Sequence, residues 1–143
     1  MATLRYRAWR FLHPDLDASE GFCGLRTSAT GGIDMVDGER SIRQAVLLLL
    51  STRPGERVMR PNYGCDLYRL AFNTNDQTTA GLAIHYVRRA IEQWEPRIDI
   101  LSLDATQNSD DPSRLDISLE YRMRRVAMPG RLVFTLDLLE PEV

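Results

Sequence analysis

At Pro96 the spacing of apolar residues changes from a helical period to an alternating one, which restricts the chain to folds that join helices to an antiparallel sheet. Upstream, Ala80, Ala83, Ile84, Val87, Ile91 and Trp94 fall on one face of a helix over 76–95, with His85, Arg88, Arg89 and Glu92 opposite. Thr74 or Asn75 is the expected N-cap. Pro96 stops this helix and pushes Glu95 out of the α region, so WEPRI is a helix-to-strand corner. Downstream, 98–105 reads as a strand and NSDDPS at 108–113 as a turn. Leu115, Ile117, Leu119, Tyr121 and Met123 then alternate with Asp116, Ser118, Glu120, Arg122 and Arg124, and Leu132, Phe134, Leu136 and Leu138 mark a third strand. The expected class is α+β, with two main helices packed on an antiparallel sheet of three or more strands.

The other helix is expected over 39–51, where Ile42, Ala45, Val46, Leu49 and Leu50 share a face that Leu47 and Leu48 widen. So apolar a helix is covered on more than one side. A short strand at 33–36 precedes it, and Asp37 is its expected N-cap. Pro54 and Gly55 end it and open a loop rich in arginine, which Pro61 and Gly64 close before a helical turn over 66–72. Residues 1–31 form an irregular lead, either an arm that pairs with something else or a tail packed on its own domain, and 32–143 read as a single domain.

A chain of 143 residues buries a core without staples, and 43% apolar with 27% charged residues is ordinary for a globular protein. Its net charge of −2 argues against a nucleic-acid binder, although all 18 basic residues are arginine. Cys23 and Cys65 stand in no metal-binding spacing, which fits reduced thiols and assembly in the cytoplasm. The longest apolar run, AVLLLL at 45–50, is too short to cross a bilayer, so neither a membrane partner nor a signal peptide is expected.

Catalytic patterns are scarce. His13 and His85 lie far apart, and none of the common nucleophile, zinc or phosphate motifs occurs. Asp15, Asp17 and Ser19 faintly resemble the start of a calcium loop, but Glu20 stands where its glycine belongs and Arg26 where its glutamate belongs. Glu56, Asp66 and Glu95 offer carboxylates without a spacing that fixes a catalytic pair. No catalytic residue, cofactor or metal is expected. Glu95 sits at a helix C-terminus, against the dipole, so a cationic partner is expected for it. That partner is either internal, as Arg97 or a loop arginine, or another protein clasped at a rigid Glu/Arg corner.

The run GERVMRPNYGCDLYRLAF follows LLLLSTRP and is itself followed, one helix later, by WEPRI and a closing RLVFTLDL. In this order the motifs resemble the baseplate wedge and sheath-initiator family of contractile phage tails, with relatives in type VI secretion and other contractile injection systems. The resemblance covers roughly 32–138. Its Glu-Pro-Arg motif falls on Glu95, Pro96 and Arg97, and its Gly-Glu-Arg loop on Gly55, Glu56 and Arg57, followed by Arg60, Pro61, Tyr63 and Gly64.

The resemblance implies a structural protein of the baseplate, assembled in the cytoplasm, six copies to a particle, with a fold like the inner domain of contractile sheath subunits. Its implied partners are the sheath protein and the wedge proteins, with inner tube or hub proteins as further neighbours. It implies that sheath assembly starts by sharing strands with this sheet, and that the Glu-Pro-Arg corner grips the wedge proteins' helical bundle. Arg53, Glu56, Arg57, Arg60 and Tyr63 on the stiffened loop are the other expected contacts. Two other classes stay open on the residues: an adaptor or regulatory binding protein with the same fold, and an enzyme, since some family members have carried a lysozyme label.

Overall fold

The computed structural model describes residues 7–12, 24–124 and 129–139. His13, Cys23 and the calcium-like stretch at 15–20 lie outside them. The chain divides into two compact units, Met1–Leu47 and Leu48–Val143.

In the first unit, β1 (Arg7–Trp9) pairs antiparallel with β4 (Met35–Asp37), and β2 (Phe11–Leu12) pairs with β3 (Gly24–Leu25). The strand expected at 33–36 is thus displaced toward the helix: Ile33 makes only an isolated bridge to Thr27, and Met35 begins the paired segment opposite Trp9. Gln44 ties the early segment to α1 (Gly38–Ser51). Its amide nitrogen donates to the Trp9 carbonyl at 2.8 Å, and its oxygen accepts from the Phe11 N–H at 2.8 Å. Arg10 adds an ion pair to Asp34 at 3.3 Å. Along α1, Ile42, Val46, Leu49 and Leu50 are buried, while Ala45, Leu47 and Leu48 are half-buried.

The second unit is built on α2 (Gln77–Trp94) and the sheet β5 (Ile98–Gln107), β6 (Arg114–Met123) and β7 (Pro129–Asp137). The sheet is an antiparallel meander in the order β5-β6-β7, as the alternating pattern required. Leu115, Ile117, Leu119, Tyr121 and Met123 all point inward from the central strand and are fully buried. Each such side chain contributes roughly 1.5–3 kcal/mol by leaving water. Above them α2 packs on β5 and β6 through Ala83, Val87, Ala90 and Ile91. A bulge between Ile100 and Ser102 leaves Leu101 unpaired and exposed on β5.

Local polar contacts set the ends of these elements. The N-cap of α2 is Asp76, whose carboxylate accepts the Thr79 N–H at 2.9 Å; the expected caps are otherwise engaged. The Asn75 amide donates to the carbonyls of Pro112 and Arg114, both at 2.9 Å, and so pins the β5–β6 turn, while the Thr74 carbonyl accepts the Thr79 hydroxyl. Asp76, one residue nearer the first turn and with its carboxylate uncommitted to the β5–β6 turn, reaches the Thr79 N–H where its neighbours do not. Before α2, a 3-10 turn (Asp66–Leu70) buries Leu67 and Leu70. Phe72 follows it in the left-handed region, with φ 64°, its N–H bonded to the Leu138 carbonyl at 2.7 Å.

Candidate functional site

The helix-to-strand corner forms as its residues dictate. Glu95 is the C-cap of α2: its N–H still bonds the Ile91 carbonyl, but its ψ of 76° has left the helix, as a residue before proline must. Its carboxylate is 7% exposed and is gripped on both oxygens by the Arg97 guanidinium, Nε to Oε1 at 2.5 Å and Nη2 to Oε2 at 2.9 Å. A two-pronged pair of this kind fixes both side chains, and Pro96 between them is exposed. The cation called for by the helix dipole at Glu95 is therefore in the chain itself, two residues away.

The loop 52–65 is closed by its own backbone. Thr52 donates N–H and hydroxyl to the Leu48 carbonyl, and its own carbonyl accepts the Cys65 N–H at 2.9 Å across the loop's neck. Within the neck, three turns follow one another, closed by the bonds Glu56 N–H to Arg53, Arg60 N–H to Arg57 and Tyr63 N–H to Arg60. Glu56 locks the first from the other side, its carboxylate accepting the Arg53 N–H at 3.1 Å.

Gly64 is the point where the two arms of the neck touch. It has φ 142°, and a Cβ there would stand 2.6 Å from the Thr52 carbonyl oxygen and 2.8 Å from the Pro54 nitrogen. Gly55 has φ 96° but open space around it. Gly64→Ala is therefore expected to lower stability by about 2 kcal/mol and to speed hydrogen exchange at the Cys65 N–H, because the neck must open to admit the methyl group. Gly55→Ala is expected to cost about 1 kcal/mol and to leave that exchange rate unchanged.

One side of this loop meets the corner. The Arg57 guanidinium lies over the Tyr63 ring, 4.4 Å from its centroid, and Tyr63 in turn packs edge-on against Trp94 with centroids 5.4 Å apart. Burial pushes the Tyr63 hydroxyl above its ordinary pKa, Arg57 draws it down, and Glu95 raises it again. Arg60 and Arg97 also act on it.

Tyr63, Arg57, Arg60, Glu95 and Arg97 thus belong to one cluster, although up to 40 positions (57 to 97) separate them in the chain. Arg53 turns elsewhere, its guanidinium 5.7 Å from the Tyr68 ring centroid. Trp94, read from the sequence as part of a buried face, is half-buried and supplies the wall on which Tyr63 rests. Two residues that the sequence reading passed over stand at the loop's tip: Val58 is 95% exposed and Met59 91%.

A polar cleft of about 350 Å³ borders the loop, lined by Pro54, Asn62, Cys65, Asp66, Tyr86 and Arg89. Burial raises the Cys65 thiol to about 11, which disfavours its thiolate at neutral pH. His85 is exposed on α2. Among the described residues no group of histidine, cysteine and carboxylate side chains is placed to hold a metal, and no helix is long and apolar enough to cross a membrane.

Comparison with known proteins gives concordant results. The sequence profile described as Baseplate wedge protein gp25 matches residues 36–127. The protein of that name from Enterobacteria phage T4 is 35% identical over 74 residues, 52% of this chain and 56% of the phage protein, so the match spans little more than half of that relative. A crystal structure from Geobacter sulfurreducens, of a protein described as a tail lysozyme, is 38% identical with a TM-score of 0.66, over 71% of this chain and 92% of that one. A chain of the anti-feeding prophage baseplate has the same fold, with a TM-score of 0.60 at 17% identity over 94% of this chain and 86% of its own.

Proposed function

This chain belongs to the baseplate wedge protein gp25 family, and from that premise we propose that it is a structural component of a contractile injection machine, joining wedge proteins to the first sheath ring. The observation that carries this reading is the packing of the arginine loop against the Glu-Pro-Arg corner through Tyr63 and Trp94. Two distant stretches of chain become one preformed surface, and a preformed surface binds with little loss of conformational entropy. Glu95, Pro96, Arg97, Arg57, Arg60 and Tyr63 are the contacts toward the wedge bundle, with Arg53 and Glu56 holding the loop in shape.

Sheath assembly begins, in this reading, by strand addition. In the order β5-β6-β7 the outer edges of β5 and β7 pair with no other described strand. Such edges offer backbone N–H and C=O groups to an extended arm from another chain. Residues 1–31 are read as a lead to the wedge domain at 32–143. The work is mechanical. Glu56 caps a turn and Glu95 is bound to Arg97, so neither carboxylate is poised for glycoside hydrolysis.

The test is to express the chain together with the sheath and wedge proteins encoded beside it. It is expected to co-purify in the assembled particle, and deleting the terminal arms of the sheath protein is expected to abolish sheath binding while circular dichroism shows both proteins folded. Undiminished binding of the armless sheath would rule out strand sharing. A stable one-to-one complex with a single soluble partner, and no particle, would favour the adaptor reading.

A further inference from the structure

Two neighbouring apolar side chains almost wholly in water are unusual on a loop held as tightly as this one. Val58 and Met59 are the most exposed large apolar residues described, ahead of Phe72 at 75%. Scattered surface apolar residues need no explanation, but mobility does not account for these. They are the two central residues of the turn closed by the Arg60 N–H to the Arg57 carbonyl, directly after the Arg53–Glu56 turn, above a neck sealed by the Thr52–Cys65 bond, on a loop braced by the Arg57–Tyr63–Trp94 stack. The chain thus holds two water-exposed apolar groups at a fixed place, and their rotamers are nearly all that binding would have to order.

We propose that Val58 and Met59 form an apolar plug that seats in an apolar cleft, rimmed by carboxylates, on another protein of the baseplate; the identity of that setting rests on the function proposed above. The rim follows from charge. Arg57 and Arg60 flank the plug directly, and within the described residues neither is in an ion pair, whereas the nearby acids Glu56 and Glu95 already accept from the Arg53 N–H and the Arg97 guanidinium. Paired arginines at the edge of a contact steer it toward acidic surfaces and repel a second copy of the same tip. The plug's shape follows from its residues: valine is stiff and fills a fixed hollow, and methionine adapts to an irregular one. A lipid surface is a poor match, because two side chains bury too little apolar area to anchor a protein.

The experiment compares wild type with Val58→Ala/Met59→Ala and Val58→Asp/Met59→Asp in cells that supply the rest of the particle, reading occupancy in purified particles by quantitative mass spectrometry. Both variants are expected to fold with an unchanged thermal midpoint, since the replaced side chains touch water. When each variant competes with an equal amount of wild type, the alanine pair is expected to be under-represented in particles about thirtyfold, the loss on truncating an interface hot spot, and the aspartate pair more. A photo-crosslinking phenylalanine derivative at position 59 is expected to capture a peptide combining apolar with Asp or Glu residues.

Full occupancy by both variants would overturn the plug while leaving the proposed function standing, as would crosslinks confined to a second copy of this chain. Binding of wild type but not the aspartate variant to phosphatidylserine vesicles would replace the protein partner with a membrane. Absence of wild type itself from the particle would overturn the function and the plug together.

Discussion

Arg97→Ala is expected to lower the free energy of unfolding by about 3 kcal/mol, more than Glu95→Ala, even though Arg97 is the more exposed of the two. The reason is asymmetric burial. At 7% exposure the Glu95 carboxylate is out of water, whereas the Arg97 side chain is 28% exposed and retains solvent on one side. Removing arginine strands a buried charge, and removing glutamate releases a cation that water can still reach. The double variant Glu95→Ala/Arg97→Ala has nothing left to strand, so it is expected to recover most of the loss, with a coupling of about 1–3 kcal/mol. Urea unfolding of the four proteins measures it. A loss in the double variant equal to the sum of the two single losses would show that the pair contributes no coupling.

The same variants separate two roles for the corner. If the double variant folds yet stays out of assembled particles, the Glu-Pro-Arg corner is a partner contact as well as an internal clasp. If it folds and enters particles normally, the pair is a staple that holds Ile98 and β5 in line behind α2. Arg97 also carries the backbone bond from the Arg124 N–H at 3.0 Å, so the corner is tied into the sheet whatever its side chain does.

Gly130→Val is expected to destabilise the protein by about 2 kcal/mol, lowering the thermal midpoint by roughly 6 °C for a chain of this size. Gly130 lies directly opposite Tyr121 across the β6–β7 ladder. The Tyr121 ring folds over it so closely that a Cβ would stand 2.6 Å from Cζ and 2.8 Å from the hydroxyl oxygen. On a surface strand a ring would swing aside into water, but Tyr121 is 0% exposed and could move only by displacing packed neighbours. An aromatic ring covering a bare glycine is a recurrent way to keep a sheet packed where a side chain is missing. Replacing Tyr121 by leucine in the Gly130→Val background is expected to cost less than the same replacement in wild type. Additive losses in differential scanning calorimetry would show that the ring and residue 130 do not collide.

Much of this protein is set by local pattern. The shift of period at Pro96 predicts the α+β class, the long helix, the meander and even the corner, because amphipathic spacing and the backbone restriction before proline act within a few residues of chain. Motif order in the loop and at the corner likewise identifies the family, since both stretches are contiguous. What sequence spacing leaves open is decided by contacts between stretches that the chain does not connect. Whether Glu95 meets Arg97 or a loop arginine turns on burial at the corner. The N-cap passes to Asp76 because Asn75 is drawn to the β5–β6 turn about forty residues on. Val58 and Met59 look like any apolar pair in the sequence, and only the direction of three successive turns sends them into water while Tyr63 turns inward onto Trp94. Periodicity records which face of an element is apolar. Which groups share that face, and which are left outside it, is fixed by packing across the whole unit.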